Sequence, residues 1–175
     1  MYRLLPVLNF KMAQSNTKIL ILHVSHRFGG AEKSLLELMR YFDEDYFMVL
    51  NPKEEIFSES KKIKNDIIEK DLIYLTKSHL KKYPVRTAYN IICNCFYIAR
   101  LCSEQNIRYV YCNTHRSLIY VILLYFTRIN IICCCRDTVT KLESFYIRII
   151  CNKIITVSYY IKSLFTKKRP CLLSP

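Results

Sequence analysis

Only two glycines occur in the 175 residues, and they are adjacent, Gly29 and Gly30. What flanks them constrains the fold more than any other feature. Lys18 to Ser25 is a near-continuous apolar run without an amphipathic break, the pattern of a parallel strand buried on both faces. Ala31, Leu35, Leu38 and Phe42 then recur at helical spacing. The glycine pair therefore predicts a turn from the carboxyl end of a strand into the amino end of a helix. Glycine permits positive φ and close approach of a ligand. A helix amino end offers free N–H groups and a partial positive charge, which suit phosphate. Neither the GxGxxG dinucleotide fingerprint nor a P-loop Gly-Lys-Ser/Thr is present. A plain strand–helix turn of any α/β protein would read the same way.

The rest of the chain keeps this alternation. Tyr46 to Leu50 reads as a second strand, Asp71 to Leu75 as a third, and charged Lys53 to Glu69 as one or two surface helices between them. Thr76 to Tyr83 is a basic connector. Pro84 opens a long helix, as proline at the first helical position can. Val85, Ala88, Ile92, Cys95, Ala99 and Cys102 are spaced to form its packing face, and Asn106 ends it. Strands follow at Arg108–Asn113, Ile129–Cys135 and Lys153–Val157, with helices at Ser117–Thr127, Lys141–Cys151 and Ser158–Phe165. Strands alternating with helices predict an α/β, doubly wound parallel, Rossmann-like sheet with its ligand crevice at the carboxyl ends of the strands. One domain is expected over 18–166. Residues 1–17 read as an extension that does not pack, and 167–175 as a tail without periodicity. Ser117 to Cys135 approaches the length of a membrane span, but Arg128 and Asn130 divide it, and a buried helix and strand fit the surrounding rhythm better.

Charge is distributed unevenly. Through Asp71 there are eleven basic and eleven acidic residues; after it there are sixteen and three, so the whole net charge of +13 lies in the second part. Such asymmetry points to an anionic partner, a membrane surface or nucleotide phosphates, or else to a solvated basic surface. No RRM, KH or helix-turn-helix pattern accompanies it, so a nucleic-acid partner is not expected. The nine cysteines contain no CxxC pair, and Cys133–Cys135 lie in an apolar run. A metal site is therefore not expected. The odd count, without a secretory signal, points to a reducing cytoplasm, with cysteine serving as a small buried apolar residue.

ILHVSHRFGGAEKSLLEL resembles the opening of retaining GT-B glycosyltransferases of family 4. Those enzymes begin with a strand, a loop ending in Gly-Gly-Ala-Glu, and a helix. The second part is similar as well, in CNTHRS, CCRD and NKIITVS, which match in order the strand-end segments of that family's amino-terminal domain. The resemblance covers about Lys18 to Phe165. It implies the amino-terminal half of a GT-B architecture. It also implies a nucleotide-sugar donor as co-substrate with no metal or other cofactor, and a carbohydrate or lipid-linked acceptor. On this resemblance Gly29, Gly30 and Arg27 approach the donor diphosphate. Arg136 and Asp137 occupy the loop that faces the reacting sugar, where the family often has His. Arginine can bind phosphate bidentately but cannot act as a general base; a local ion pair with Asp137 is the alternative. His26, His115 and Arg116 fall at predicted strand ends and are candidates for acceptor contacts, or are simply loop residues. Ser158 is expected to cap the last helix. Glu32, in the first turn of its helix, is favourable through the dipole.

The family's donor-binding domain, with its paired glutamates, has no counterpart in this sequence. The chain is therefore expected to supply the acceptor-side half and to be inactive alone, with a separate donor-binding subunit as a partner. The competing expectation is a non-catalytic module of the same fold that binds an anionic membrane surface or a partner subunit. Either way the expected location is cytoplasmic, including the inner face of a membrane.

Overall fold

The computed structural model describes residues 18–25, 28–41, 46–53, 55–63, 67–75, 77–157, 165 and 171–173. His26, Arg27, Ser158 and residues 1–17 lie outside them.

The described residues form a seven-stranded, wholly parallel sheet in the order β3-β2-β1-β4-β5-β6-β7. The strands are β1 (Ile19–Leu22), β2 (Tyr46–Leu50), β3 (Ile67–Glu69), β4 (Tyr109–Cys112), β5 (Asn130–Cys135), β6 (Lys153–Thr156) and β7 (Cys171–Leu173). Ile19 stands beside Tyr46 of β2 and Tyr109 of β4, so β1 is central. The order reverses between β1 and β4, the switch point at which doubly wound sheets open a crevice. The sheet is buried on both faces, which is why its strands read as unbroken apolar runs. Leu20, Ile21 and Leu22 have no exposure at all.

Helices α1 (Gly30–Tyr41) and α2 (Glu55–Ile63) cover one face through Leu35, Met39 and Ile56. The other face carries α4 (Pro84–Glu104), a 3-10 helix (His115–Phe126) and α5 (Lys141–Ile150), through Ile98, Leu118 and Ile147. A short helix, α3 (Lys77–Lys82), precedes α4. The cysteines of β5 are core residues: Cys133, Cys134 and Cys135 are at most 2% exposed, and burial pushes the Cys133 thiol well above its ordinary pKa. Among the described residues no group of three or more His, Cys, Asp or Glu is placed to hold a metal ion. Nor is any described helix long and apolar enough to cross a membrane.

Four local readings are corrected. The third strand is Ile67–Glu69, while Asp71–Leu75, where it was expected, is irregular. That segment is held from its sides instead: Tyr120 Oη donates to Ile73 O at 2.9 Å and accepts from Ile73 N at 2.7 Å, and Asn51 Nδ2 donates to Leu72 O at 3.0 Å. The basic connector contains α3. The apolar helix after β4 is a 3-10 helix, whose rise of about 2.0 Å per residue lets twelve residues run about 24 Å back along the strands. The expected tail adds β7, parallel to β6.

The packing face of α4 is also only half as expected. Cys95 and Cys102 are buried, but Val85 and Ile92 are 81% and 54% exposed and Ala88 is exposed too. At 1.5 Å per residue, α4 is about 31 Å long, whereas a four-residue strand covers about 13 Å. The amino-terminal half of α4 therefore overhangs the sheet. There it turns a polar face inward, with Asn90 and Asn94 both donating to Asp71 O, at 2.9 and 3.2 Å. Its carboxyl end follows the expectation for Asn106, which takes the left-handed conformation (φ 54°). Asn106 N reaches Ser103 O and Ile107 N reaches Cys102 O, closing a Schellman motif without glycine.

Candidate functional site

Four elements meet at the switch point: the residues after β1, the first turn of α1, and the residues after β4 and β5. Their polar side chains form one network. His23, fully buried, places Nε2 3.0 Å from Glu32 Oε1. Glu32 Oε2 accepts from Gly29 N at 2.7 Å. Asn113 Nδ2 lies 3.1 Å from His23 Nδ1 and donates to Ala31 O at 3.2 Å. Asn113 Oδ1 faces two donors at 3.5 Å, Tyr111 Oη and Arg136 Nη2. These contacts are mutually consistent. With both amide hydrogens of Asn113 spent on His23 and Ala31, His23 Nδ1 accepts, and Nε2, beside Glu32, carries the ring hydrogen.

The helix start explains why Glu32 is here. Gly29 is the N-cap of α1 and Glu32 the third helical residue, so its carboxylate closes half of a capping box on the Gly29 amide. Burial would raise its pKa, but hydrogen bonds from His23, Ser25 and its own backbone bring it down to about 2. Glu32 therefore does more than meet the helix dipole: it is 4% exposed and joins α1 to β1. At that pKa it is ionised near neutrality and positions its neighbours rather than serving as a proton acceptor.

The glycine turn itself differs from the expectation. Neither glycine has positive φ. A side chain on Gly29 would make ordinary contact with Glu32, and one on Gly30 would meet open space. The Gly29 amide is turned inward to Glu32, so the free approach is at Gly30.

Beside this network opens a cleft of about 810 Å³, lined among others by Ser25, Glu32, Asn51, Asp71, Tyr83 and Arg86. It lies beyond the ends of β1, β2 and β3, bounded by the first turns of α1, α2 and α4. Its polar groups are held by local structure; Asn51 Oδ1 accepts from Lys53 N at 3.0 Å, and Lys53 Nζ lies 3.7 Å from Asp71.

The predicted site residues divide between places. Gly29 and Arg136 belong to the switch-point network, and Gly30 stands next to it, facing open space. Arg136 points to Asn113, not to Asp137, and no ion pair joins Arg136 to the exposed Asp137. His115 is 5% exposed and lies away from the cleft lining, its Nε2 3.7 Å from Glu143 Oε1; burial lowers its pKa, against the pull of Glu143. The Arg116 guanidinium stacks 4.9 Å above the ring of Tyr74, which does line the cleft. His23 escaped the sequence reading, and Glu32 was read there only as a partner of the helix dipole, not as a buried member of a network. A glutamate three residues after an N-cap and a histidine inside an apolar strand run were the signals available.

No protein-family profile matches the chain, and no curated protein matches it. Solved structures do. The crystal structure of Anabaena Alr3699/HepE in complex with UDP and glucose superposes with a TM-score of 0.62 at 14% identity, over 90% of this chain and 44% of that one. The same protein in complex with UDP gives 0.61 at 16%, over 90% and 43%. In complex with UDP-glucose it gives 0.61 at 15%, over 89% and 43%. The chain thus spans less than half the length of the structures whose fold it shares.

Proposed function

We propose that this chain is the acceptor-side half of a GT-B glycosyltransferase of the family 4 kind, moving a sugar from a nucleotide-sugar to a carbohydrate or lipid-linked acceptor. The observation that carries this reading is positional. The Gly29-Gly30-Ala31-Glu32, Arg136-Asp137 and Ile155–Val157 segments, far apart in sequence, fall at the carboxyl ends of β1, β5 and β6 in one parallel sheet. The UDP, glucose and UDP-glucose held by structures of the same fold support a nucleotide-sugar co-substrate. In this reading Gly30, with Arg27, approaches the diphosphate, and Glu32 holds the turn in place. Arg136 meets charge on the departing phosphate, and Asp137 stands at the mouth of the same loop. The cleft beside Tyr83 and Arg86 receives the acceptor, with Arg116 behind the Tyr74 ring of its lining, while the buried His115 supports the loop after β4 rather than touching the acceptor. Neither a metal nor another cofactor enters the scheme.

Transfer needs both reactants held in register, with fixed charges facing the leaving diphosphate. A chain holding one side of that arrangement is expected to bind UDP weakly and to turn over little or no UDP-sugar. Calorimetric titration with UDP tests the first point. Gly30→Asp sets a carboxylate where phosphate would sit and has open space to do so, so it is expected to fold and to abolish binding. Ser103→Ala, at the other end of α4, is expected to leave binding unchanged. Equal UDP binding by Gly30→Asp would overturn the donor-side assignment. Robust turnover by the chain alone would overturn the half-enzyme statement.

A further inference from the structure

The overhanging half of α4 leaves a continuous apolar stripe in water. Val85, Tyr89, Ile92 and Phe96, at spacings of four, three and four residues, are 81%, 70%, 54% and 63% exposed. Leu80 of α3 and Tyr83 extend the patch, at 49% and 47%. Apolar residues scattered singly on a surface need no explanation, but a contiguous stripe of this kind marks an interaction surface. The charge around it selects the partner. From Leu72 to Ser103 there is no Asp or Glu, while Lys77, Lys81, Lys82, Arg86 and Arg100 fall within it. Lys81, Lys82 and Arg86 are exposed beside the stripe, and Lys82 Nζ sits 5.2 Å above the Tyr83 ring. On the cleft side, Asp71 lies 3.7 Å from Lys53 Nζ.

We infer that the Leu80–Phe96 surface docks on the face of an anionic lipid bilayer. A helix with aromatic and aliphatic residues on one side and lysine and arginine at its flanks lies in the interfacial plane, gaining from buried apolar area and from attraction to anionic head groups. Tyrosine suits that depth because its ring is apolar and its hydroxyl stays wet. Tyr83 and Arg86 also line the 810 Å³ cleft, so docking sets the cleft rim at the head groups. The inference does not depend on sugar transfer, and its test contains no nucleotide.

The test is sedimentation with vesicles of phosphatidylglycerol mixed with phosphatidylcholine, against phosphatidylcholine alone. The chain is expected to bind the mixed vesicles, less so in salt, and not the neutral ones. Tyr89→Asp combined with Phe96→Asp is expected to lower partitioning about tenfold or more through lost apolar burial and added negative charge. Lys81→Glu with Lys82→Glu is expected to lower it about fivefold for each positive charge removed. Leu142→Asp with Phe145→Asp, on the exposed side of α5, is the control and is expected to bind as the parent does. The unmodified chain supplies a readout that needs no variant. Cys93, on the exposed stripe, is the exposed one among the described cysteines. Its labelling by maleimide, located by mass spectrometry, is expected to slow on mixed vesicles and not on neutral ones. Equal binding to neutral vesicles would overturn the inference, as would equal loss in the α5 variant or undiminished Cys93 labelling on mixed vesicles. So would a wild-type dimer that Tyr89→Asp with Phe96→Asp dissociates without loss of vesicle binding, since the stripe would then belong to a second copy.

Discussion

The amino-terminal ends of α1 and of α4 stand at the same end of the same sheet, and they reverse the ordinary rule of burial. At α1 the charged Glu32 and its partner His23 are 4% and 0% exposed; at α4 the apolar Val85 and Tyr89 are 81% and 70% exposed. The difference lies in what is underneath. The first turn of α1 sits over the ends of β1, β4 and β5, where Glu32, His23 and Asn113 lie against one another and against the Gly29 and Ala31 backbone. A buried charge is tolerated only in such company. The amino-terminal half of α4 runs past the short strands, and its inward side is held at Asp71 by Asn90 and Asn94 while the opposite side meets water. Residue type alone does not place a side chain inside or outside; the support below it does.

Four substitutions or conditions probe that contrast. Glu32→Ala leaves the Gly29 amide and His23 buried without their partner, and is expected to cost about 3 kcal/mol in a urea unfolding experiment. A loss below about 0.5 kcal/mol would show that the network is dispensable and the comparison empty. Acid should act on the same group. Glu32 has a folded-state pKa of about 2, below its ordinary 4.5, so its contribution is present above pH 4.5 and is lost as pH falls from 4.5 towards 2. The stability difference between the wild type and Glu32→Gln, followed by thermal unfolding, is expected to shrink across that window. A difference that stays constant with pH would remove the charge from the account.

Asn94→Ala deletes the hydrogen bond to Asp71 O under α4 and is expected to cost about 1 kcal/mol. It sharpens the contrast by weighing the polar side of the overhang. Tyr89→Ser, on the exposed side, is expected to change stability by less than about 0.5 kcal/mol. A larger loss would mean that the stripe packs against something within the chain, and the reversal of burial between α1 and α4 would disappear.

Much of the fold was legible in the sequence because both faces of the sheet are covered. Unbroken apolar runs then mark strands directly, as at Lys18–Ser25 and Ile129–Cys135, and periodic runs mark helices. The third strand was misplaced by a few residues. Asp71–Leu75 is apolar enough for a strand, yet Tyr120 and Asn51 take its backbone groups, and neither is near it in sequence. The Gly29–Gly30 turn was legible as a strand-to-helix junction. Which amide faces inward was not, because that depends on the Glu32 carboxylate lying beside His23. Arg136 was marked by its place after β5, but its partner Asn113 comes from the neighbouring strand, so the expected pairing with Asp137 gave way.

By itself the sequence determined the alternation of strands and helices, the start of α1 at its glycines, the end of α4 at Asn106, and the confinement of net positive charge to the part after Asp71. These follow from local steric preference, periodicity and composition, which are carried by residues close together in the chain. Only the tertiary structure decided that Glu32 is buried while Val85 is exposed, that Asn113 links β1, β4 and β5, and that α4 outruns its sheet. Those outcomes depend on groups brought together across tens of residues, and on the mismatch in length between a helix and the strands it crosses.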